Sequence, residues 1–199
     1  MLKLNYIPGA VEAGCDEAGR GCLSGPVVAA AVILPPNFHN NFIDDSKKLN
    51  EKKRNELKEV IKKESLAWGI GYVSPKEIDD INILNASFLA MHRAIDQLSI
   101  KPELLLIDGN KFNQYQNIKH HCIIKGDSKF LSIAAASILA KTSRDKYMNE
   151  LDQIYPEYDW KNNKGYPTAK HRAAISKIGH TEHHRKSFQL LPPQLKFNF

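Results

Sequence analysis

The chain has no long apolar run. Its longest, residues 27–34, is closed by Pro26 and Pro35 and falls far short of the ~18–20 residues a membrane-spanning helix needs. The N-terminus has no basic stretch followed by an apolar one, so no secretion signal is read and a cytoplasmic location is expected. Cysteine is scarce: Cys15, Cys22 and Cys122 form no CxxC pair, and an odd number fits free thiols rather than a disulfide framework. The same spacing argues against zinc. There is no internal repeat, low-complexity tract or evident linker. Negative charge is also in deficit, with 22 Asp and Glu against 28 Lys and Arg, a formal net charge of +6 and a pI near 9.1. That balance points to a polyanion, nucleic acid before membrane, as partner.

What is present fits one domain of 199 residues, with 42% hydrophobic content and so enough for a core. Residues 10–15 read as a strand ending at Asp16, and 27–34 as a buried strand rich in Val and Ile. Residues 50–64 read as a charged amphipathic helix with Leu57, Val60 and Ile61 inward, followed by a strand over 65–73. Ser74-Pro75-Lys76-Glu77 is a helix start: Ser at the N-cap, Pro at N1, Glu at N3. A longer helix is expected over about 82–98. Strands then follow at 104–107 and 122–124, a long helix at about 128–154 and a last helix from Thr168 to Gly179. This order predicts an α/β fold, a mixed sheet flanked by helices, with a small helical C-terminal extension.

Several of these strands end in acids: Asp16 and Glu17, then Asp108, then Asp127. Strand ends are where open α/β sheets place their sites. Asp-Gly after a strand is by itself an ordinary turn; four such acids in a basic chain are harder to dismiss. Clustered carboxylates raise one another's pKa and are tolerated around a cation. Hard oxygen donors suit Mg²⁺ or Mn²⁺, and a pair of such ions can carry phosphodiester hydrolysis. The stretch Gly14 to Gly21 nearly has P-loop spacing, but two acids inside a phosphate cradle would repel the phosphate. A ligand pair followed by a glycine-flanked arginine, able to lie against a sugar–phosphate backbone, is the better reading. Adjacent strand residues face opposite sides, so Asp16 and Glu17 can serve one site only if the strand ends or bends, or if Glu17 reaches it another way.

The ordered set Asp16-Glu17-Ala18-Gly19-Arg20-Gly21, Gly25-Pro26-Val27-Val28-Ala29-Ala30, Asp45-Ser46-Lys47-Lys48-Leu49, Leu106-Ile107-Asp108-Gly109, Lys125-Gly126-Asp127, Ala136-Ser137-Ile138-Leu139-Ala140-Lys141 with Arg144-Asp145, Lys164-Gly165-Tyr166-Pro167-Thr168 and His184-Arg185-Lys186-Ser187-Phe188 resembles bacterial ribonuclease HII over about residues 10–190. The resemblance implies an RNase H-like fold, with a catalytic core over about 1–155 and a substrate-binding extension over about 156–199. It implies a two-metal endonuclease that hydrolyses the RNA strand of RNA–DNA hybrids. It would also cut 5′ to ribonucleotides embedded in duplex DNA, leaving 3′-hydroxyl and 5′-phosphate ends, as in ribonucleotide excision repair. Asp16, Glu17, Asp108 and Asp127 take the places of the family's catalytic acids and metal ligands, for Mg²⁺ or Mn²⁺. Gly19, Arg20 and Gly21 correspond to the element that reads the ribose 2′-hydroxyl, and Tyr166 to the residue that stacks on the next deoxyribose. Cys22, Ser24 and Pro167 depart from the usual proline, alanine and glycine, and Pro167 restricts Tyr166.

Residues 46–63 carry eight Lys and Arg against three Glu. They read as a solvated face, except for Lys47, expected to meet a phosphate. Ser137, Lys141 and Arg144 share one helix face, and phosphate positioning is expected of them, with Asp145 as a partner for basic side chains. Residues 161–186, with seven Lys and Arg, one Glu and four His, read as substrate-binding surface. His171, His183 and His184 read as phosphate or structural contacts rather than catalytic bases, and Trp68 and Trp160 as core or rim. A monomer without a membrane partner is expected. Ribonuclease HIII, with its extra N-terminal domain, and a non-catalytic nucleic-acid binder are the competing readings. The first has no room before Asp16, and the second gains nothing from acids beside phosphate.

Overall fold

The computed structural model describes residues 2–40, 43 and 49–191. Five strands form one sheet in the order β3-β2-β1-β4-β5. β1 (Glu12–Ala18), β2 (Val27–Ile33) and β3 (Ala67–Val73) form an antiparallel set. β4 (Leu104–Asp108) and β5 (Lys119–Ile123) continue parallel to β1. The expected mixed sheet is thus present, with helices on both faces.

The two faces follow from strand alternation. Ala13 and Cys15 of β1, Ala29 and Ala31 of β2, and Leu105 and Ile107 of β4 face α2 (Pro75–Ile95). Ala30 and Val32 of β2 and Leu106 of β4 face α3 (Leu131–Ile154) on the other side, where α1 (Glu51–Glu64) packs behind α3. Small residues set the spacing. A Cβ on Gly69 or Gly71 of β3 would lie 2.1 and 2.0 Å from the Ala94 and Ala90 carbonyl oxygens of α2. A Cβ on Gly14 would lie 2.3 Å from the Ser132 backbone of α3. Alanines 134, 135 and 136 complete the close approach of α3.

Several boundaries depart from the sequence pattern, among them β5, which runs Lys119–Ile123 rather than 122–124. β1 does not end at Asp16 but runs on to Ala18, because Asp16, Glu17 and Ala18 pair with Ala30, Ala29 and Val28 of β2. The helix start at Ser74 and the longer helix expected from about Asn82 are one element with a break. Asn82 (φ 65°, ψ 163°) interrupts it, and its side-chain oxygen caps the second part by accepting from the Leu84 and Asn85 amides. The second part also ends at Ile95 rather than Leu98. The Ser74–Glu77 capping box forms as expected. The long helix starts at Leu131, after a 3-10 turn over Gly126–Ser128.

After α3 come the short α4 (Trp160–Asn163), which the sequence pattern did not show, and α5 (Ala169–Ile178), capped by Thr168 and stopped at Gly179 as expected. They pack a small core of Leu23, Met148, Leu151, Tyr158, Trp160 and Ile175. Segment 45–48, with Lys47, and tail 192–199 lie outside the described residues. No helix among the described residues is long and apolar enough to cross a membrane.

Candidate active site

Asp16 and Asp108 come together through register. Cys15 of β1 is level with Ile107 of β4, so the next residue on each parallel strand is an acid on the α3 face. Asp16 is only 5% exposed. Its Oδ1 accepts from the Glu17 amide at 2.7 Å, and the Ser137 hydroxyl of α3 donates to its carboxylate. Asp108 Oδ1 accepts from the Gly126 amide at 2.7 Å, which ties the end of β4 to the 3-10 turn that carries Asp127. Gly126 is tight there, since a Cβ would lie 2.6 Å from Ile133 Cδ1.

Glu17 resolves the alternation problem from the other side. It stays in the strand, one residue past Asp16 and on the α2 face. There it borders a small recess with Ser87, Phe88 and Met91. At the strand end it still reaches the main cleft. That cleft, about 440 Å³, is walled by Asp16, Glu17, Gly19, Arg20, Gly21, Asp108, Ser137, Lys141, Tyr166, Ala18 and Arg54. Asp127 is buried and does not line this cleft; it follows Gly126, whose amide holds Asp108.

The acids oppose one another's ionisation. Burial, then the charges of Glu17 and Asp108, push the Asp16 carboxyl well above its ordinary range, against the hydrogen bonds from Ser137 and the Glu17 amide. Burial also raises Glu17, countered by Arg20, whose Nη1 lies 3.2 Å from Glu17 Oε1, and reinforced by Asp108. A cation among them would relieve this repulsion. No three His, Cys, Asp or Glu side chains among the described residues close on one point as they stand. The donors are oxygens only and spread around an open cleft. That suits a hard divalent ion, which takes one or two carboxylates and fills its shell with water and substrate oxygen.

The remaining expected residues divide. Gly19 (φ 94°) crosses directly over Arg144, and a Cβ there would lie 2.0 Å from Arg144 Nε. Gly21 has open space where a Cβ would be, so its backbone is accessible from the cleft. Lys141 borders the cleft while paired to Asp145 at 2.7 Å. Tyr166 is 44% exposed, with its phenol hydrogen-bonded to the buried Cys22 thiol.

Arg144 is a correction. It shares a helix face with Ser137 and Lys141, but its guanidinium is buried. Nε donates to Pro26 O, Nη2 to Ser24 O and Nη1 to Lys164 O, at 3.0, 3.0 and 2.8 Å. Its geometry is that of a clamp beneath the glycine–arginine–glycine turn, not of a phosphate contact. Within 161–186, Arg185, His171 and His184 are buried, so they do not belong to the basic surface expected there, whereas Lys161, Lys170, Lys177 and Lys186 are exposed. Arg185 donates from Nε and Nη2 to Gly25 O and from Nη1 to Arg20 O.

Arg54 of α1 was missed. It lines the cleft and lies 4.0 Å from Asp145. The available signal was its identity: it is the one arginine among the seven lysines of 46–63, and guanidinium suits partly buried anion contacts better than ammonium does.

Comparison with known proteins agrees with this fold. The family model described as Ribonuclease HII matches residues 13–191. A Ribonuclease HII of Bacteroides thetaiotaomicron is 66% identical over 190 residues, 95% of each chain. The crystal structure of ribonuclease H2 from Pyrococcus horikoshii OT3 superposes with a TM-score of 0.75 at 25% identity, covering 90% of this chain and 94% of that one. Bst-RNase HIII in complex with Mn²⁺ shares the fold, with a TM-score of 0.73 at 18% identity over 93% of this chain and 69% of that one. The family match runs from β1 through α5, a span that includes all four acids and Tyr166; the chain belongs to the ribonuclease HII family.

Proposed function

We propose that this metal-dependent ribonuclease H, acting on RNA–DNA hybrids, also cuts 5′ to single ribonucleotides embedded in duplex DNA, with Asp16, Glu17, Asp108 and Asp127 holding two Mg²⁺ or Mn²⁺ ions. The observation that carries the reading is the shared cleft. Three of the acids, the Gly19-Arg20-Gly21 turn with Gly21 exposed, Lys141 and Tyr166 all border it. Mn²⁺ in the structurally similar Bst-RNase HIII supports a divalent ion of this size.

When bound, the ions would supply charge neutralisation of the scissile phosphate and of the departing oxygen. The chain does the rest. Asp16 is held by Ser137 and the Glu17 amide, and Asp108 by the Gly126 amide, so both are oriented before substrate arrives. Glu17 enters from the opposite sheet face, which spreads the donors around the phosphate instead of stacking them on one side. Arg20 is tied to Glu17 at the cleft mouth; Gly19 lets the turn pack on Arg144, and the exposed Gly21 lets the backbone approach a ribose. The 2′-hydroxyl is the group that marks the ribonucleotide. Tyr166, brought in by the C-terminal segment, presents its ring to the adjoining sugar, where a deoxyribose packs and a ribose adds a hydroxyl. Lys141 and Arg54 offer positive charge to flanking phosphates. The protein works as a cytoplasmic monomer, in ribonucleotide removal from DNA.

The test is a duplex carrying one ribonucleotide, incubated with and without Mg²⁺ or Mn²⁺, with both product ends mapped. Expected are metal-dependent cleavage on the 5′ side of the ribonucleotide, a 3′-hydroxyl and a 5′-phosphate. Cleavage of continuous hybrid with the single-ribonucleotide duplex left intact would overturn the junction reading.

A further inference from the structure

Two buried histidines lie outside the mechanism above, yet their hydrogen bonds lead to Tyr166. His171 of α5 and His184 are 0% and 1% exposed, with Trp160 and Tyr158 packed against them. The donors around them determine where each proton sits. The Trp160 indole can only donate, and its Nε1 lies 3.0 Å from His171 Nε2. His171 Nε2 is therefore bare, its proton is on Nδ1, and Nδ1 donates to the Tyr166 carbonyl at 2.9 Å. The Thr181 amide, again only a donor, points at His184 Nδ1 at 3.0 Å. His184 therefore carries its proton on Nε2, which points at His171 Nε2 at 3.2 Å.

We propose that this chain, from Thr181 through His184 and His171 with Trp160 alongside, positions Tyr166 for junction recognition, and that it does so only while both imidazoles are neutral. The inference rests on the reading of Tyr166 given above.

The physical case is one of incompatible protons. A proton added to His171 Nε2 would face two donors, Trp160 Nε1–H and His184 Nε2–H. A proton added to His184 Nδ1 would face the Thr181 amide, with only the Thr181 hydroxyl, 3.1 Å away, able to turn and accept it. The titratable and charged groups that face the pair oppose a further positive charge: Arg172 on α5 beside His171, and His180 and His183 beside His184. Burial lowers both histidines, His184 to about 4.

Tyr166 needs such an anchor because its ring is half exposed and its loop is unusual. Lys164 (φ 50°) and Gly165 (φ 82°) are both left-handed. The Lys164 carbonyl is held by Arg144, the Gly165 carbonyl by the Leu23 amide, and the Tyr166 carbonyl by His171 and the Thr168 amide. Losing His171 leaves Tyr166 O one partner. The loop loosens while the fold stays.

The test uses the full-length protein. Nitrogen-15 NMR of labelled histidines reads the tautomers directly. Expected are His171 as Nδ1–H and His184 as Nε2–H, neither protonated at about pH 6. His171 as Nε2–H, or a charged imidazole at that pH, would overturn the inference without reference to activity.

Kinetics then separate positioning from packing. In His171→Asn the carboxamide NH₂ takes the place of Nδ1 and keeps the bond to Tyr166 O; in His171→Gln it takes the place of Nε2 and loses that bond. Expected for His171→Gln is a fall of about tenfold in kcat/KM on the single-ribonucleotide duplex, one hydrogen bond's worth. Cleavage of continuous hybrid should stay near wild type, and His171→Asn should restore selectivity. His184→Gln keeps a donor at Nε2 but loses the acceptor of the Thr181 amide, so a smaller loss of the same selectivity is expected; it covers the case in which a His171 variant fails to fold, and wild-type selectivity in the folded variant would overturn the role of Thr181 and His184.

Tyr166→Ala run alongside separates the two readings. Equal losses on both substrates in Tyr166→Ala overturn the role of Tyr166. Selectivity lost in Tyr166→Ala but kept in a folded His171→Gln overturns the present inference alone.

Discussion

Asp16→Asn tests the electrostatics of the site more directly than any other change. The side chain keeps its shape, and its carboxamide oxygen can still accept from the Glu17 amide and Ser137. Only the charge is removed. Asp16 is one strand spacing, ~4.8 Å, from Asp108 and adjacent to Glu17. At ~5 Å and an effective dielectric of ~20, a like-charge pair costs about 3 kcal/mol. The Arg20 charge beside Glu17 and water in the cleft reduce what is recovered, so a gain of about 1–3 kcal/mol is expected. At ~2–4 °C per kcal/mol for a chain of this size, that is a rise of several degrees in Tm.

The sign depends on pH. A carboxyl whose folded pKa is raised contributes stability that is fully present below its unfolded value and lost as pH rises through the folded one. The variant's advantage therefore appears near neutral pH and vanishes in acid. It should also shrink when Mg²⁺ is added, because the ion stabilises the wild type by mass action and the variant less. The assay is thermal unfolding near pH 7, with a chelator and then with Mg²⁺, beside cleavage of a hybrid. Cleavage should be abolished. A variant less stable than wild type in chelator, or one that turns over near the wild-type rate, would refute the reasoning.

Other substitutions separate a structural clamp from a phosphate-binding side chain. Arg144→Ala strands the Pro26, Ser24 and Lys164 carbonyls. Denaturant titration should show a loss of several kcal/mol, while the salt dependence of binding by any folded fraction stays unchanged. Lys141→Ala and Arg54→Ala should do the opposite, flattening the log–log salt slope by up to about 0.9 for each phosphate left unneutralised on B-form DNA. Gly19→Ala should reduce both stability and cleavage, since a Cβ would meet Arg144 Nε at 2.0 Å in a left-handed backbone. Acid should weaken the fold through His184, whose pKa is pushed down by burial, then by His171, His180 and His183, from 6.5 to about 4. Stability is present above about 6.5 and falls as pH drops toward 4, by about 3 kcal/mol at most; His184→Gln should flatten that fall in pH-dependent unfolding.

Much of the fold was legible because local chemistry and long-range packing agree. Alternating and continuous apolar runs marked four of the five strands; β5, expected at 122–124, runs Lys119–Ile123, and its Lys-His-His start carries no apolar pattern because it is an edge strand paired only to β4. The Ser74–Glu77 box and Gly179 marked helix ends that stand where expected. The acids were legible as a set because carboxylates at several strand ends of a basic chain have few other uses. Boundaries were less legible where pairing overrides composition. Asp16 and Glu17 stay in β1 because β2 offers them Ala30 and Ala29 as partners, which no local propensity reports.

Side-chain direction was beyond the sequence altogether. Ser137, Lys141 and Arg144 have one helical spacing and three fates: hydrogen bond to Asp16, cleft wall, and buried clamp. Which fate falls to which depends on what lies opposite each turn of α3, including Asp16, Ser24 and Pro26, more than a hundred positions away. The same holds for His171 and His184. Sequence alone marks them as titratable groups in a basic segment. Only the tertiary structure, by aiming an indole and a backbone amide at them, determines which nitrogen holds the proton. Residue type and spacing limit which chemistry is available; the partners that desolvate and orient each group decide how it is used.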